Sequence, residues 1–192
     1  ALQAVVDRKV PLVPTFTFQA NLADFGAAIG SDENLREVFR AEITESVGTL
    51  RAAFDAGVPL LTGSESGFSL TPYGDWHYRE LQVFVEDLGM TPLQAINSAT
   101  QQGARALKLE GQLGCIKPDY LADILVFEGE PETTVTQLGD QSRYRHIIKN
   151  GQEVDTKTPL ARDWQLPGWR VSEYSERILT RELVESMGLS TR

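Results

Sequence analysis

Cysteine and histidine are scarce in this chain: among 192 residues there are one cysteine, Cys115, and two histidines, His77 and His146. A single cysteine excludes a disulfide within the chain and a cysteine-based metal cluster. It also fits a reducing compartment, so we expect a cytoplasmic protein. No histidine or asparagine is close to Cys115 in sequence, and we interpret this thiol as a small buried hydrophobic side chain.

Basic residues are outnumbered by acidic ones, 18 against 27, and the net charge is −9. An acidic surface repels phosphate backbones, so we expect no nucleic-acid partner. The chain also lacks an apolar run of membrane-spanning length, and we expect no membrane partner. A composition of 41% hydrophobic and 23% charged residues is typical of a globular domain with a real core.

The first part of the chain has the pattern of an α/β protein. Residues 10–18 are predicted to form a strand, 19–30 a loop, 31–56 an amphipathic helix that Ser31 caps, and 58–62 a second strand. Strand, helix and strand in this order make a βαβ unit, whose two strands are parallel neighbours. One such unit cannot bury both faces of a sheet, so further strands are expected from elsewhere.

Two more helices and a change to β structure follow. A helix is predicted at residues 75–88, and a second starts at Thr91-Pro-Leu-Gln, which has the pattern of a capping box. The buried stripe of the second helix is predicted at Leu93, Ile96, Thr100, Ala104 and Leu107.

From about residue 111 the pattern is that of strands, with a strand at 122–127 and a hairpin at 145–154 whose turn is Asn150-Gly151. An amphipathic helix is predicted at 172–187. We therefore divide the chain into an α/β part (1–110), a small β part (111–155) and a tail (156–192).

Five segments, in this order, resemble the C-terminal part of metal-dependent amidohydrolases, in the imidazolonepropionase-like and Xaa-Pro dipeptidase-like branch with molinate and phenylurea hydrolases as similar members. The segments are Thr62-Gly-Ser-Glu-Ser-Gly67, residues 71–81, residues 88–100, the stretch with Gly114, Ile116, Pro118, Ala122 and Asp123, and Lys149-Asn-Gly151. The likeness covers roughly residues 1–155.

The resemblance implies the last two βα units of a (β/α)8 TIM-like barrel, with 10–18 as the seventh strand and 58–62 as the eighth, and part of a small β-sandwich. It implies a divalent metal, with zinc expected and one or two ions, most of whose ligands lie outside this chain. The N-terminal half of the barrel would be a required partner, as missing sequence or as a separate chain. A small-molecule substrate and an oligomer are also expected.

Glu65 stands where the resemblance implies an aspartate that binds the metal and acts as a base. We therefore predict Glu65 as the metal and catalytic carboxylate, although Glu is one methylene longer than Asp and the change could equally be an inactivating one. Ser66, Tyr73 and His77 are predicted to contact substrate. For Tyr73 a role in bracing the loop is the alternative, and for His77 a role in packing.

Other residues are expected to be structural. His146 lies in the predicted hairpin, Asp123 is expected to be a buried or turn-satisfying carboxylate, and Asp119 is expected to tolerate a left-handed backbone. Trp164, Trp169 and the 172–187 helix are expected to pack on the barrel or on another subunit.

We consider two alternatives to a hydrolase. One is a non-catalytic fragment or degenerate paralogue with a binding or scaffolding role, and the other is an unrelated α/β domain.

Overall fold

The computed structural model describes residues 2–156 and 177–189, which form helices and one small sheet. Within these ranges the helices are α1 (Leu2–Arg8), α2 (Phe16–Phe25), α3 (Glu33–Asp55), α4 (His77–Glu86), α5 (Pro92–Asn97), α6 (Gly103–Ala106) and α7 (Arg181–Ser186). The strands are β1 (Ile124–Phe127), β2 (Tyr144–Lys149) and β3 (Gln152–Glu153). Short 3-10 segments lie at Gly26–Ile29, Val135–Gly139 and Gln141–Arg143, and a π-helical segment lies at Ser98–Gln102.

The predicted strand at 10–18 is wrong over its last three residues, because α2 begins at Phe16. This helix is buried on two sides: Phe16 and Ala20 join one core cluster, whereas Phe18 joins another. Packing on both sides overrides the strand propensity of Phe-Thr-Phe. The predicted loop at 19–30 is wrong for the same reason, since it contains the rest of α2 and a 3-10 turn.

The two segments predicted as parallel neighbours meet at one place. Leu12 and Leu60 form a parallel bridge, in which the Leu12 N–H donates to the Pro59 carbonyl at 3.0 Å and the Leu61 N–H donates to the Leu12 carbonyl at 2.8 Å. Between these two segments, as far as the structure describes them, the pairing does not continue into a longer ladder. Two prolines in the first segment lack the N–H that such a ladder requires.

Helix α3 confirms the predicted amphipathic helix but has a different cap. Asp32 caps it in place of Ser31, and its Oδ1 accepts the N–H groups of Asn34 at 2.9 Å and Leu35 at 3.3 Å. Gly57 follows the helix with φ +81°, a left-handed conformation that suits glycine. No helix in the described ranges is both long enough and apolar enough to cross a bilayer.

Helix α5 begins at the predicted capping box. The Gln94 N–H donates to Thr91 Oγ1 at 3.3 Å, and the Thr91 N–H donates to Gln94 Oε1 at 2.8 Å. The predicted buried stripe is wrong at three of its five positions: Leu93 is 62% exposed, Leu107 is 70% exposed and Thr100 is also exposed. The π-helical turn at Ser98–Gln102 interrupts the 3.6-residue period, and this moves Leu107 off the predicted face.

The turn into the β part closes against the preceding helices. Gly114 has φ +85°, and a Cβ there would lie 2.9 Å from the Ala104 Cβ, so the turn requires glycine. Cys115 is half-buried, and its sulfur accepts a hydrogen bond from the Gln101 amide at 2.9 Å. Cys115 is therefore more exposed, and its contacts more polar, than the predicted small buried hydrophobic side chain.

The β part confirms the predicted hairpin. β2 pairs antiparallel with β1 and β3, and Asn150 and Gly151 join β2 to β3 with φ +50° and +77°, as in a type I′ turn. Asp123 satisfies this turn, because its Oδ1 accepts the Asn150 N–H at 2.8 Å and its Oδ2 pairs with Lys149. These hydrogen bonds, that of Lys149 first, lower the pKa of Asp123. Asp119 has φ +67°, as expected.

The described part of the tail packs on the α/β part. Leu179 and Val184 are fully buried in the cluster that contains Trp76, and the Trp76 Nε1–H donates to the Leu179 carbonyl at 2.8 Å. The predicted 172–187 helix is too long within the described residues, because 177–180 are not helical and α7 begins at Arg181. Residues 172–176, Trp164 and Trp169 lie outside the described residues.

Thr91→Ala tests the start of α5. Loss of the Oγ1 acceptor leaves the Gln94 N–H without its cap, and we expect the free energy of unfolding to fall by about 1 kcal/mol. Thr91→Ser keeps the acceptor and should retain most of the stability. Urea unfolding of the three proteins measures the difference, and equal midpoints would contradict the cap.

Candidate functional site

The 62–67 turn follows the bridge at Leu60 and contains Glu65. Glu65 is exposed and has φ +48°, a left-handed conformation that side chains of its size seldom adopt. Thr71 fixes this turn from the other side: its Oγ1 donates to the Glu65 carbonyl at 2.6 Å, and its carbonyl accepts the Gly67 N–H at 2.9 Å. The surrounding contacts thus impose the unusual backbone of Glu65.

Ser66 and His77, both predicted to contact substrate, lie side by side. Ser66 Oγ is 2.7 Å from Ser64 Oγ and 3.5 Å from His77 Nδ1. His77 Nε2 accepts the Gly74 N–H at 3.3 Å, which places the ring proton on Nδ1, facing Ser66. Partial burial lowers the pKa of His77, and the charge of Asp75 opposes this shift. A neutral imidazole that completes a Ser-Ser-His hydrogen-bond chain fits both observations.

Tyr73 borders the same turn. Its side chain is 80% exposed, and its hydroxyl lies 3.2 Å from the position that a Cβ on Gly67 would take. Gly67 has φ +114°, so both its backbone conformation and this neighbour favour glycine. The four predicted site residues are therefore all in or beside one turn, with Ser66 and His77 in direct contact.

Gly63 allows the turn to approach the segment that precedes α2. A Cβ at this position would lie 2.6 Å from Val13 Cγ1 and 2.8 Å from Thr15 Oγ1. Both distances are shorter than real Cβ contacts, so any larger residue would push the two segments apart.

Glu80 lies behind the turn and has no accessible surface. It belongs to α4, but its Oε2 accepts the backbone N–H of Thr17 at 2.8 Å and the Thr17 hydroxyl at 3.0 Å. Thr15, the N-cap of α2, has φ +61° and makes no capping hydrogen bond with its side chain. Glu80 therefore supplies the acceptor that an N-cap would normally give to the start of α2.

Burial raises the pKa of Glu80 to about 7, and the hydrogen bonds from Thr17 and from the amides of residues 15–17 oppose this shift without cancelling it. Its Oε1 is buried and has no hydrogen-bond partner among the described residues. Sequence reasoning missed Glu80 and Thr17. A signal was present, because Trp76, Glu80 and Phe84 recur at steps of four and place a carboxyl on the apolar face of the predicted helix.

The remaining predicted features lie apart from this turn. His146 Nδ1 is 2.8 Å from Glu153 Oε1 across the hairpin, as a structural role requires. A cavity of about 270 Å³ is lined by Asp75, Asp140 and Arg181, among others, and one of about 320 Å³ by Phe54, Leu60 and Leu93, among others. None of the four predicted site residues lines either cavity.

Groups of potential metal ligands do not occur in the part of the chain that the structure describes. In residues 2–156 and 177–189, no three His, Cys, Asp or Glu side chains are placed to hold a metal ion together. Glu65 can offer one carboxylate. The described residues therefore do not by themselves fit a metal.

Comparison with known proteins gives the class of the chain. The model of the amidohydrolase family matches residues 17–154, and the chain belongs to this family. That stretch includes the 62–67 turn, α4 and the β2–β3 hairpin.

Individual relatives are more distant. Ochratoxinase of Aspergillus niger is 30% identical over 103 residues, which are 53% of this chain and 20% of that protein. Adenine deaminase of Halalkalibacterium halodurans is 28% identical over 154 residues, which cover 72% of this chain and 24% of that protein. The chain thus spans about a quarter or less of the curated relatives that it matches.

Among solved structures, a Xaa-Pro dipeptidase with methionine bound in its active site superposes with a TM-score of 0.65 at 24% identity, over 80% of this chain and 36% of that one. At this identity the match supports a shared fold.

Gly63→Ala tests the close approach at the turn. We expect the methyl group to displace Val13 and Thr15 and to lower the free energy of unfolding by about 1–3 kcal/mol. Gly48→Ala is the matched control: no atom lies within 4 Å of its added Cβ, and we expect it to stabilise α3 by about 0.5–1 kcal/mol. Denaturant unfolding measures both. Equal effects of the two substitutions would contradict the contact.

Glu80→Gln tests the buried carboxyl through pH. The pKa of Glu80 is raised from 4.5 to about 7, so its contribution to stability is complete below pH 4.5 and is lost as pH rises through about 7. The loss is about 3 kcal/mol by linkage. The glutamine does not titrate. We therefore expect the stability of the wild type relative to Glu80→Gln to fall between about pH 4.5 and pH 7 and to level off above that range.

Unfolding curves at several pH values give this difference, and Glu45→Gln, an exposed carboxylate on α3, serves as the control. A constant difference between wild type and Glu80→Gln across this range would show that the carboxyl does not titrate there.

Proposed function

We propose that this chain is the C-terminal portion of a metal-dependent amidohydrolase that hydrolyses an amide, carbamate or similar C–N bond. The observation that carries the proposal is the family match over residues 17–154. The names of the relatives support the bond type, because a dipeptidase and a deaminase both cleave C–N bonds.

The proposal assigns the bridged segments at Leu12 and Leu60 to the last two strands of a (β/α)8 barrel. Their parallel bridge and the helix between them support this assignment. The three-stranded sheet is then part of a small β-sandwich, and the division into 1–110, 111–155 and 156–192 follows from it. In such a barrel the residues that follow a strand at its carboxyl end line the active site, and the 62–67 turn occupies that position.

The N-terminal half of the barrel is the partner that the proposal requires, within the same polypeptide or as a second chain. The chain spans 36% of the dipeptidase with which it superposes, which supports a contribution of the remaining barrel from elsewhere. That half would supply the other walls of a pocket for a small-molecule substrate. An oligomer remains part of the proposal.

Amidohydrolases generally use divalent metal ions. A bound divalent ion supplies a water whose pKa falls to about 7. The 62–67 turn provides one carboxylate, Glu65, so most ligands would belong to the N-terminal half. We assign Glu65 to that ion as a ligand and as the group whose carboxylate oxygen accepts a proton from water. Its backbone, fixed by Thr71, supports a defined position for this side chain.

Ser66, Tyr73 and His77 are assigned to substrate. Ser66 and His77 would act together, because the His77 Nδ1–H faces Ser66 Oγ and orients the Ser66 hydroxyl. Tyr73 presents an exposed ring and hydroxyl beside Gly67, where it can cover a bound molecule.

A non-catalytic paralogue is the second candidate function. One observation favours it: Glu65 stands where the resemblance implies aspartate, and its side chain is one methylene too long for that position. A binding or scaffolding protein would have the barrel fold without hydrolytic activity.

Substitution of Glu65 in the intact protein separates the two functions. If Glu65 binds the ion, Glu65→Ala should remove the metal and lower the rate of hydrolysis at least tenfold. Glu65→Asp keeps a carboxylate but moves it by one methylene, so its metal content and rate should differ from those of the wild type. A misplacement of about 1 Å costs roughly 100-fold in rate. Glu45→Ala is the control, since this carboxylate is exposed on α3.

Metal content is measured by mass spectrometry, and hydrolysis is measured on Met-Pro, adenine, ochratoxin and molinate. Wild-type protein that contains no divalent ion and hydrolyses none of these probes would favour the paralogue.

A further inference from the structure

The Thr17 hydroxyl stands between two acceptors. Thr17 Oγ1 lies 3.0 Å from Glu80 Oε2 and 3.4 Å from the Gly63 carbonyl oxygen. Thr17 is fully buried, so water does not reach the hydroxyl from the surface. A hydroxyl has one hydrogen and can donate to only one of the two oxygens at a time.

The protonation state of Glu80 decides which oxygen receives that hydrogen. An ionised carboxylate only accepts, so the Thr17 hydroxyl donates to Oε2 and the Gly63 carbonyl loses its donor. A carboxyl protonated on Oε2 donates to Thr17 Oγ1, and the Thr17 hydrogen is then free for the Gly63 carbonyl. Oε1 makes no hydrogen bond to the described residues. A proton on Oε2, in contrast, faces Thr17 Oγ1 at 3.0 Å.

We propose that Glu80 is a positioning residue for the 62–67 turn: the protonated carboxyl, acting through the Thr17 hydroxyl, ties the Gly63 carbonyl to α2, and ionisation releases it. The effect of this Thr17–Gly63 hydrogen bond on function rests on the proposed role of Glu65, two residues after Gly63. The hydrogen-bond exchange itself requires neither metal nor substrate.

The charged groups around Glu80 do not control its protonation. Burial raises the pKa of Glu80, its hydrogen bonds oppose that shift, and no charged side chain is among the causes. From α4, the neighbouring Arg79 pairs with Asp24 of α2 and donates to Gln82. His77, the first residue of α4, contacts Ser66 Oγ through Nδ1 and accepts the Gly74 N–H through Nε2. Because the pKa of Glu80 is about 7, both forms are populated near neutral pH.

Isotope labelling can observe the Gly63 carbonyl directly. The chain has two Gly-Ser pairs, Gly30-Ser31 and Gly63-Ser64. Protein labelled with ¹³C at glycine carbonyls and ¹⁵N at serine therefore gives one signal for Gly63-Ser64 and one internal control. In the intact protein, we expect the Gly63-Ser64 signal to shift between pH 5.5 and 8.5 with a midpoint near that of the Glu80 side-chain carbon, while Gly30-Ser31 stays constant.

Three substitutions complete the test. Thr17→Val has the same shape but no hydroxyl, and it should abolish the pH-dependent shift, as should Glu80→Gln. Thr17→Ser keeps the hydroxyl and should retain the shift, which a purely packing role of Thr17 would not predict. Three results would each overturn the proposal. The Gly63-Ser64 signal could stay constant while Glu80 titrates, or it could shift with pH in Thr17→Val as it does in the wild type. The third is a Glu80 carboxyl that does not titrate in this range.

Kinetic measurements test whether the Thr17–Gly63 hydrogen bond affects the proposed role of the 62–67 turn. With Met-Pro as the probe, Thr17→Val should lower kcat roughly 10- to 100-fold and leave KM unchanged, and Thr17→Ser should restore kcat. Wild-type protein without activity on Met-Pro would count against the proposed function only, because the carbonyl signal tests the positioning role independently.

Discussion

One buried carboxyl holds together three elements on which the candidate site depends. Glu80 comes from α4, its hydrogen bonds go to the start of α2, and through Thr17 they reach the 62–67 turn. Burial of a carboxyl costs free energy unless hydrogen bonds compensate it. Here the compensation comes from backbone donors at the start of a helix, where a negative charge is also favoured. The raised pKa shows that the compensation is incomplete, which makes this contact sensitive to pH.

The turn itself is defined by small residues and by hydrogen bonds from both sides. Gly63 lets it approach Val13 and Thr15, and Thr71 fixes the backbone at Glu65 and Gly67. The parallel bridge between Leu12 and Leu60 sets where the turn begins. These constraints act on the backbone, so they would hold equally for an enzyme and for a paralogue that has lost its chemistry. The side chain of Glu65 is what distinguishes the two.

Local signals in the sequence predicted what local interactions determine. The capping box at Thr91, the Asn150-Gly151 turn and the left-handed Asp119 are all present, because each depends on a few consecutive residues. The strand predicted through Phe16 failed, since that residue and Phe18 are buried on opposite sides of a helix by partners distant in sequence. Glu80 and Thr17, 63 positions apart, form a contact that no local pattern specifies. Ser66 and His77, which the family resemblance assigns to substrate, lie 3.5 Å apart in the structure. Their role in binding substrate stays a prediction.

The backbone at Glu65 bears on what this position does. A left-handed φ of +48° is common for Asn and Asp, whose short side chains tolerate it, and less so for Glu. The resemblance implies aspartate at this position, which would suit the conformation. This chain keeps the conformation with the less suitable residue, and Thr71 supplies the hydrogen bond that maintains it. A strained backbone conformation persists only when several surrounding contacts hold it in place, and residues in such conformations cluster at functional sites. If the carboxyl had no role, an easier residue would satisfy the same turn. An acidic side chain on this left-handed backbone is therefore the feature of the turn on which the hydrolase and the paralogue differ.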